Sequence, residues 1–271
     1  HRQMSVTLRL TFLGTLSGQE PQAGWHHVSF AVQPAGGGVY IFDAGEGCSH
    51  TAHLCGVDLL DTRAVFISHT HMDHVGGLGN LFWTMRKLGL ISPLKPHRLT
   101  GRTVELYIPR PEAWDGIERM LRCTQGGFEC DWSVAPRPVA DGEIHRDDDL
   151  RVVAHHTTHG GGPDADGAWR AFGYRIESGG RSVVFTGDTG GIHEAEPLVG
   201  DGCDLLLMET GHHRAGEVAA YVREHEMPIG RLGFIHHGTA MRKDPDGERR
   251  AAEDALGRPV LVTRDRMILA L

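Results

Sequence analysis

His69-Thr70-His71-Met72-Asp73-His74 places three imidazoles and a carboxylate within six consecutive residues. Neutral imidazole is the commonest side-chain metal ligand, and a carboxylate beside it suits a hard divalent ion. Residues two apart on an extended segment face the same way, so His69 and His71 can close on one ion. Asp73 and His74 come a step later, where the chain is expected to turn into a helix, and can hold a second. Solvated histidines on a turn are the plain alternative. Nineteen histidines, many of them paired (His26-His27, His155-His156, His212-His213, His236-His237), weigh toward a metal site.

Ligands need a rigid frame, and the apolar run Ala64-Val65-Phe66-Ile67 ahead of the hexapeptide reads as a buried strand over 65–68. Four further segments set His or Asp directly after an apolar strand, where a scaffold presents ligands. They are Phe42-Asp43-Ala44-Gly45-Glu46-Gly47, His155-His156-Thr157-Thr158-His159-Gly160, Phe185-Thr186-Gly187-Asp188-Thr189-Gly190 and Phe234-Ile235-His236-His237-Gly238. Alternation of apolar and polar residues predicts further strands over 6–13, 28–32, 39–42, 104–108, 150–154, 173–176, 182–186, 232–235 and 260–263. The unbroken apolar run 205–208 fits a strand covered on both faces. Helical spacing predicts helices over 76–88, 111–122, 214–225 and 247–256, the second opening on Pro111. Strands dominate each half, with helices between them and no long linker, so one layered α/β domain over 4–271 is expected. Met4 reads as the natural start, and residues 1–3 as an expression remnant. The glycine-rich stretch 160–167 is the clearest flexible loop.

Composition bounds the rest. Hydrophobic content of 40% and charged content of 23% are those of a soluble globular protein. No apolar run approaches the roughly 20 residues that span a bilayer, and the first residues lack the apolar core of a signal peptide. Five scattered cysteines (Cys48, Cys55, Cys123, Cys130, Cys203) suggest reduced thiols in a cytoplasmic protein. A net charge of −8 disfavours a broad nucleic-acid footprint. Arg98, Arg102 and Arg110 read as a solvated face. Trp25, Trp83 and Trp169 read as core more than as pocket lining.

Taken together, His69-x-His71-x-Asp73-His74, a later histidine, Gly187-Asp188-Thr189 and a strand-end histidine resemble the metallo-β-lactamase fold superfamily. Phe42-Asp43-Ala44-Gly45-Glu46-Gly47 and Gly173-Tyr174-Arg175-Ile176 resemble its ribonuclease Z-like branch. The resemblance runs from about Leu10 to Ile235 and implies an α/β fold, a four-layer αβ/βα sandwich. It also implies two divalent metal ions, with zinc fitting the oxygen and nitrogen ligands best and Mn2+ or Fe2+ as alternatives. Metal one would take His69, His71 and a third histidine, His159 in preference to His156 or His155. Metal two would take Asp73, His74 and His236, with His237 the alternative, and Asp188 would bridge both. Asp43 would hold a ligand histidine in its tautomer, or merely close a turn. Glu209 and His213 would form a carboxylate–histidine pair that protonates the leaving group, with His212 competing for the role.

The implied activity is that of a dinuclear hydrolase cleaving a small phosphodiester or ester-type bond through a metal-bridging hydroxide, with Asp73 both ligand and proton acceptor. A tRNA 3′-processing endonuclease is the first alternative. Such an enzyme should carry a basic arm to grip the phosphate backbone, whereas 190–215 is short and acidic. A lactone, thioester or β-lactam substrate is a further alternative, although Thr189 follows Asp188 where a β-lactam hydrolase would supply a cysteine. A catalytically silent metal-binding module is the last, and filled ligand positions weigh against it. The expected partner is a small molecule; nucleic acid is disfavoured, no membrane is expected, and a homo-oligomer stays open.

Overall fold

The computed structural model describes residues 7–271. Among them, two seven-stranded sheets lie face to face. In spatial order the first sheet runs Ile268–Ala270, Leu8–Gly14, Ser29–Pro34, Val39–Phe42, Thr62–Phe66, Thr103–Tyr107 and Ser133–Arg137. The second runs Leu261–Val262, Ile229–His237, Cys203–Thr210, Arg181–Phe185, Ala171–Ser178, Arg151–Thr157 and Gly142–Arg146. Each sheet is part parallel and part antiparallel. The parallel pairs join Val39–Phe42 to Ser133–Arg137 in the first and Arg181–Phe185 to Leu261–Val262 in the second.

Strand alternation sorts consecutive residues into different layers. Phe42, Phe66, Leu205 and Leu207 face the space between the sheets. Their neighbours Ile41 and Val65 face the helices Cys48–Leu54, Leu78–Ile91 and Pro111–Arg122. Leu206 and Met208 face Ala215–Glu224 and Pro245–Leu256. Four layers result, helix–sheet–sheet–helix, the sandwich implied by the motifs. In the central layer Phe30, Phe42, Phe66 and Tyr107 stack across four adjacent strands, with ring centroids 5.3, 4.6 and 4.8 Å apart.

The expected elements recur with shifted ends. The strand expected over 65–68 is Thr62–Phe66, which frees Ile67 and Ser68 for the loop carrying the hexapeptide. The strand expected over 150–154 extends to Thr157 and takes in His155 and His156. The edge strands Ser133–Arg137, Gly142–Arg146 and Ile268–Ala270 and the short helix Cys48–Leu54 were not expected from the sequence. Val6, and the reading of Met4 and of 1–3, lie outside the described residues. Among the described residues no helix is long and apolar enough to cross a membrane. All five cysteines are free.

Candidate metal centre

The loop after Phe66 is pinned across the sheet interface. The Tyr174 hydroxyl donates to the Ile67 carbonyl (2.6 Å) and the Phe172 N–H to the Ser68 carbonyl (2.9 Å). Both donors belong to the second sheet, so the hexapeptide is held by the sheet it must face. His71 stands on extended backbone, and Met72–Val75 then winds one helical turn that carries Asp73 and His74.

The remaining ligand candidates come from the second sheet. His159 follows Arg151–Thr157 by two residues. Asp188 follows Phe185 through Gly187, whose φ of 57° brings its Cα so near the Phe172 carbonyl oxygen that a Cβ would sit 2.6 Å from it. Only glycine makes that turn without a clash. The Thr157 hydroxyl then donates to the Asp188 carbonyl (2.7 Å). His236 is the extra residue of a bulge: Glu209 pairs with Ile235 and Thr210 with His237, while His236 adopts a left-handed φ of 56°. Bulges of this kind re-aim a side chain, here into the site.

Two ligand sets result. His69 Nε2 lies 2.9 Å and His159 Nε2 3.3 Å from His71 Nδ1, with Asp188 Oδ2 3.7 and 3.5 Å from the first two. Beside them, His236 Nε2 lies 3.0 Å from Asp73 Oδ2 and 3.2 Å from His74 Nε2. Asp188 Oδ1 is 3.4 Å from each of these imidazoles. Asp188 is therefore common to both sets, one oxygen to each. Its Oδ1 is buried and has no hydrogen-bond partner among the described residues. A buried, unpartnered carboxylate oxygen amid converging imidazole nitrogens is costly unless a cation takes it up. The donor set fits a pair of divalent ions.

Charge is divided unevenly between the sets. Burial, and then the nearby His74, push the His69 imidazole well below its usual pKa; burial also lowers His159. In the other set burial opposes protonation, but Asp188 and Asp43 outweigh it at His74, which is raised well above its usual value. Against the same opposition, Asp188 and Asp73 raise His236 to about 10.

Behind the ligands, the fully buried Asp43 accepts from His74 Nδ1 (2.6 Å), the Ser68 N–H (2.7 Å) and the Ser68 hydroxyl (2.8 Å). Holding Nδ1 leaves His74 Nε2 turned toward the site. Glu209, also fully buried, hydrogen-bonds His212, the competing candidate, while the expected His213 lies farther from it. Its carboxylate accepts from His212 Nδ1 (2.8 Å) and the His212 N–H (2.9 Å). His213 Nε2 is 3.7 Å away and bonds the Thr189 hydroxyl at 2.8 Å instead. The turn at Gly211 brings the nearer histidine back over the carboxylate. Burial would raise Glu209, but the His212 and His236 imidazoles bring it down to about 2; the hydrogen bond to Glu209 in turn raises His212.

The alternatives fall elsewhere. His156 bonds Asp141 at 2.7 Å and stacks on Trp169, and His155 bonds the His156 carbonyl; the strand ladder holds both away from the two sets. His237 faces away, bonded to the Thr263 carbonyl (2.8 Å). Trp83 and Trp169 are partly buried and pack against the core, as expected, and Trp25 is partly buried with its ring edge-on to His237. Arg110 is not on an open face: with Arg170 it lines a cavity shared with His69, His71 and His159. Arg170 was missed, since nothing in its local sequence signals the site.

The model of a family described as "Beta-lactamase superfamily domain" matches residues 40–244. Ribonuclease Z of Methanothermobacter thermautotrophicus is 29% identical over 154 residues, 56% of this chain and 45% of that protein. The chain thus spans about half the length of the first curated relatives it matches. Ribonuclease Z of Natronomonas pharaonis is 26% identical and aligns over 96% of both chains. That alignment has 316 positions, 45 more than the 271 residues here, so the relative carries segments this chain lacks. The crystal structure of the metallo-beta-lactamase fold protein YhfI from Bacillus subtilis superposes with a TM-score of 0.71 at 18% identity. That match covers 98% of this chain and all of the other.

Proposed function

The chain belongs to the beta-lactamase superfamily, and from that membership we propose that it is a metal-dependent hydrolase of small phosphodiesters. The observation that carries the reading is Asp188, whose two buried oxygens each face their own set of imidazoles. His69, His71, His159 and Asp188 would hold one divalent cation, and Asp73, His74, His236 and Asp188 the other. When bound, such a pair supplies Lewis acidity and a water acidic enough to attack at neutral pH. Zinc suits the nitrogen and oxygen donors. Asp73 stands to accept a proton at Oδ2, on the face it shares with His74 and His236. His212, its Nδ1 held by Glu209, stands to give a proton from Nε2 to the departing alkoxide. Cytoplasmic localisation belongs to the same reading.

Processing of tRNA is the second reading, favoured by the name ribonuclease Z on the curated relatives. The course of the chain between Asp188 and Glu209 weighs against it. Two short helical turns, Ile192–Ala195 and Glu196–Val199, lead into the strand Cys203–Thr210 and bury Ala195, Leu198 and Val199 against the second sheet. No basic arm projects there among the described residues, and the net charge is −8. Hydrolysis of bis(p-nitrophenyl) phosphate and of a precursor tRNA, each with zinc or manganese and across a salt series, separates the two. Turnover of the diester with little action on tRNA is expected. Rapid, salt-sensitive cleavage of precursor tRNA with a negligible rate on the diester would reverse the choice.

A further inference from the structure

Beside the first ligand set lies a small cavity of about 180 Å³, whose lining includes His69, His71 and His159 together with Arg110 and Arg170. The two arginines are 60 residues apart. Arg110 ends the loop into the helix Pro111–Arg122, and Arg170 directly precedes Ala171–Ser178. Asp164, in the glycine-rich loop, holds both: its Oδ1 accepts from Arg170 Nε (2.5 Å) and its Oδ2 from Arg110 (3.4 Å). The loop keeps Asp164 in place by closing on itself, through Asp164 N–H to Ala168 O and Gly167 N–H to Asp164 O, each 2.8 Å.

We infer that Arg110 and Arg170 form an oxyanion subsite, so that the substrate carries a second phosphate group next to the bond that is cut. The inference rests on the phosphodiester reading. A guanidinium has five N–H donors in a planar fork suited to phosphate. Asp164 takes two of Arg170's nitrogens, while Arg110 spends one nitrogen on Asp164 and one on the exposed Glu112, so donors are left on each. The cavity, about 180 Å³, has room for a compact oxyanion beside the two guanidiniums. It sets two guanidiniums, offset in part by Asp164, in one cavity with three candidate ligand histidines. A substrate held by the candidate metal ligands and by the arginines together would be fixed at two points, which orients the scissile group.

Thymidine 5′-(p-nitrophenyl phosphate) and its 3′-phosphorylated form differ only in the second phosphate. Wild type, loaded with zinc or manganese, should favour the 3′-phosphorylated ester by about 10- to 100-fold in kcat/KM, the range that one or two charged hydrogen bonds supply. Most of the difference should lie in KM. In Arg110→Ala/Arg170→Ala the ratio should fall to within about threefold of one, and Arg170→Lys, which keeps charge but loses the fork, should fall between. A wild type without preference, or a preference that survives the double substitution, would overturn the subsite. If wild type cleaves neither ester, the phosphodiester reading fails, and calorimetry then decides the subsite alone. Thymidine 3′,5′-bisphosphate should bind wild type at least about tenfold more tightly than thymidine 5′-monophosphate, with the margin gone in the double variant. Equal binding of the two nucleotides to wild type would dismiss it.

Discussion

Asp43→Asn separates the cation-holding role of the site from its mere shape. Asp43 is wholly buried, with a left-handed φ of 55°, a conformation asparagine tolerates better than most residues. The backbone therefore has little reason to move. One carboxylate oxygen accepts from both His74 Nδ1 (2.6 Å) and the Ser68 hydroxyl (2.8 Å), while the other accepts from the Ser68 N–H (2.7 Å). An asparagine that keeps the bond to the Ser68 N–H presents its NH2 to His74 Nδ1. The imidazole must then carry its proton on Nε2, where the lone pair facing Asp73, His236 and Asp188 is needed. Losing a partner that fixes a ligand's tautomer costs about 10- to 100-fold in metal affinity, or about 1.4–2.8 kcal/mol. Competition of zinc with a chromophoric chelator, fitted to two sites, reads this directly. One affinity should fall by that factor, and the other, set by His69, His71 and His159, should change far less. Two unchanged affinities in a variant that melts as wild type does would refute the assignment of Asp43 to His74, and an equal loss at both sites would refute the division into two ligand sets.

Three further outcomes are expected. His212→Ala should lower kcat by about 100-fold or more, the range for a lost general acid, with bound metal retained, and His213→Ala should slow turnover much less; the reverse order would return the role to His213. Affinity for the zinc that Asp73, His74 and His236 would hold should rise with pH between 6 and 8. His236 is raised to about 10 and so carries a proton in this window that a cation must displace, and His74 is shifted in the same direction. A flat affinity in metal titrations across that range would contradict it. Gly187→Ala should cost about 1–2 kcal/mol from left-handed backbone alone, and more from the contact with the Phe172 carbonyl, with both zinc affinities reduced because Asp188 moves. Wild-type melting and metal binding in this variant would show that the turn is not constrained.

The layered α/β character was legible because central strands such as Leu205–Met208 are apolar throughout and helices such as Pro111–Arg122 carry their own start signals. Ser133–Arg137, Gly142–Arg146 and Ile268–Ala270 were not, because edge strands are half exposed and owe their conformation to a neighbour's free backbone groups, not to an apolar pattern. At the site, the hexapeptide stood out because its candidate ligands are local. The choice among His155, His156 and His159 turned on where a strand ended. That strand runs on to Thr157, a matter of pairing with Ala171–Ser178 that a single segment does not carry. The placing of His212 over Glu209 depends on a turn at Gly211, and that of His236 on a bulge one residue long. Arg110 and Arg170 meet only through the tertiary fold, so no spacing rule reaches them.

His69, His71, Asp73 and His74 hang from the first sheet, whereas His159, Asp188 and His236 hang from the second. Neither half owns a complete coordination sphere, so each ion would rivet the two halves of the sandwich together. Occupancy then works as a gauge of sheet alignment. A slip of one sheet over the other by an ångström or two leaves the pairing within each sheet intact but strains the bonds that cross between them and opens both spheres. Under mild denaturant, bound zinc should escape while the circular dichroism of the strands is still native. The catalyst of such a protein is the seam between its two halves.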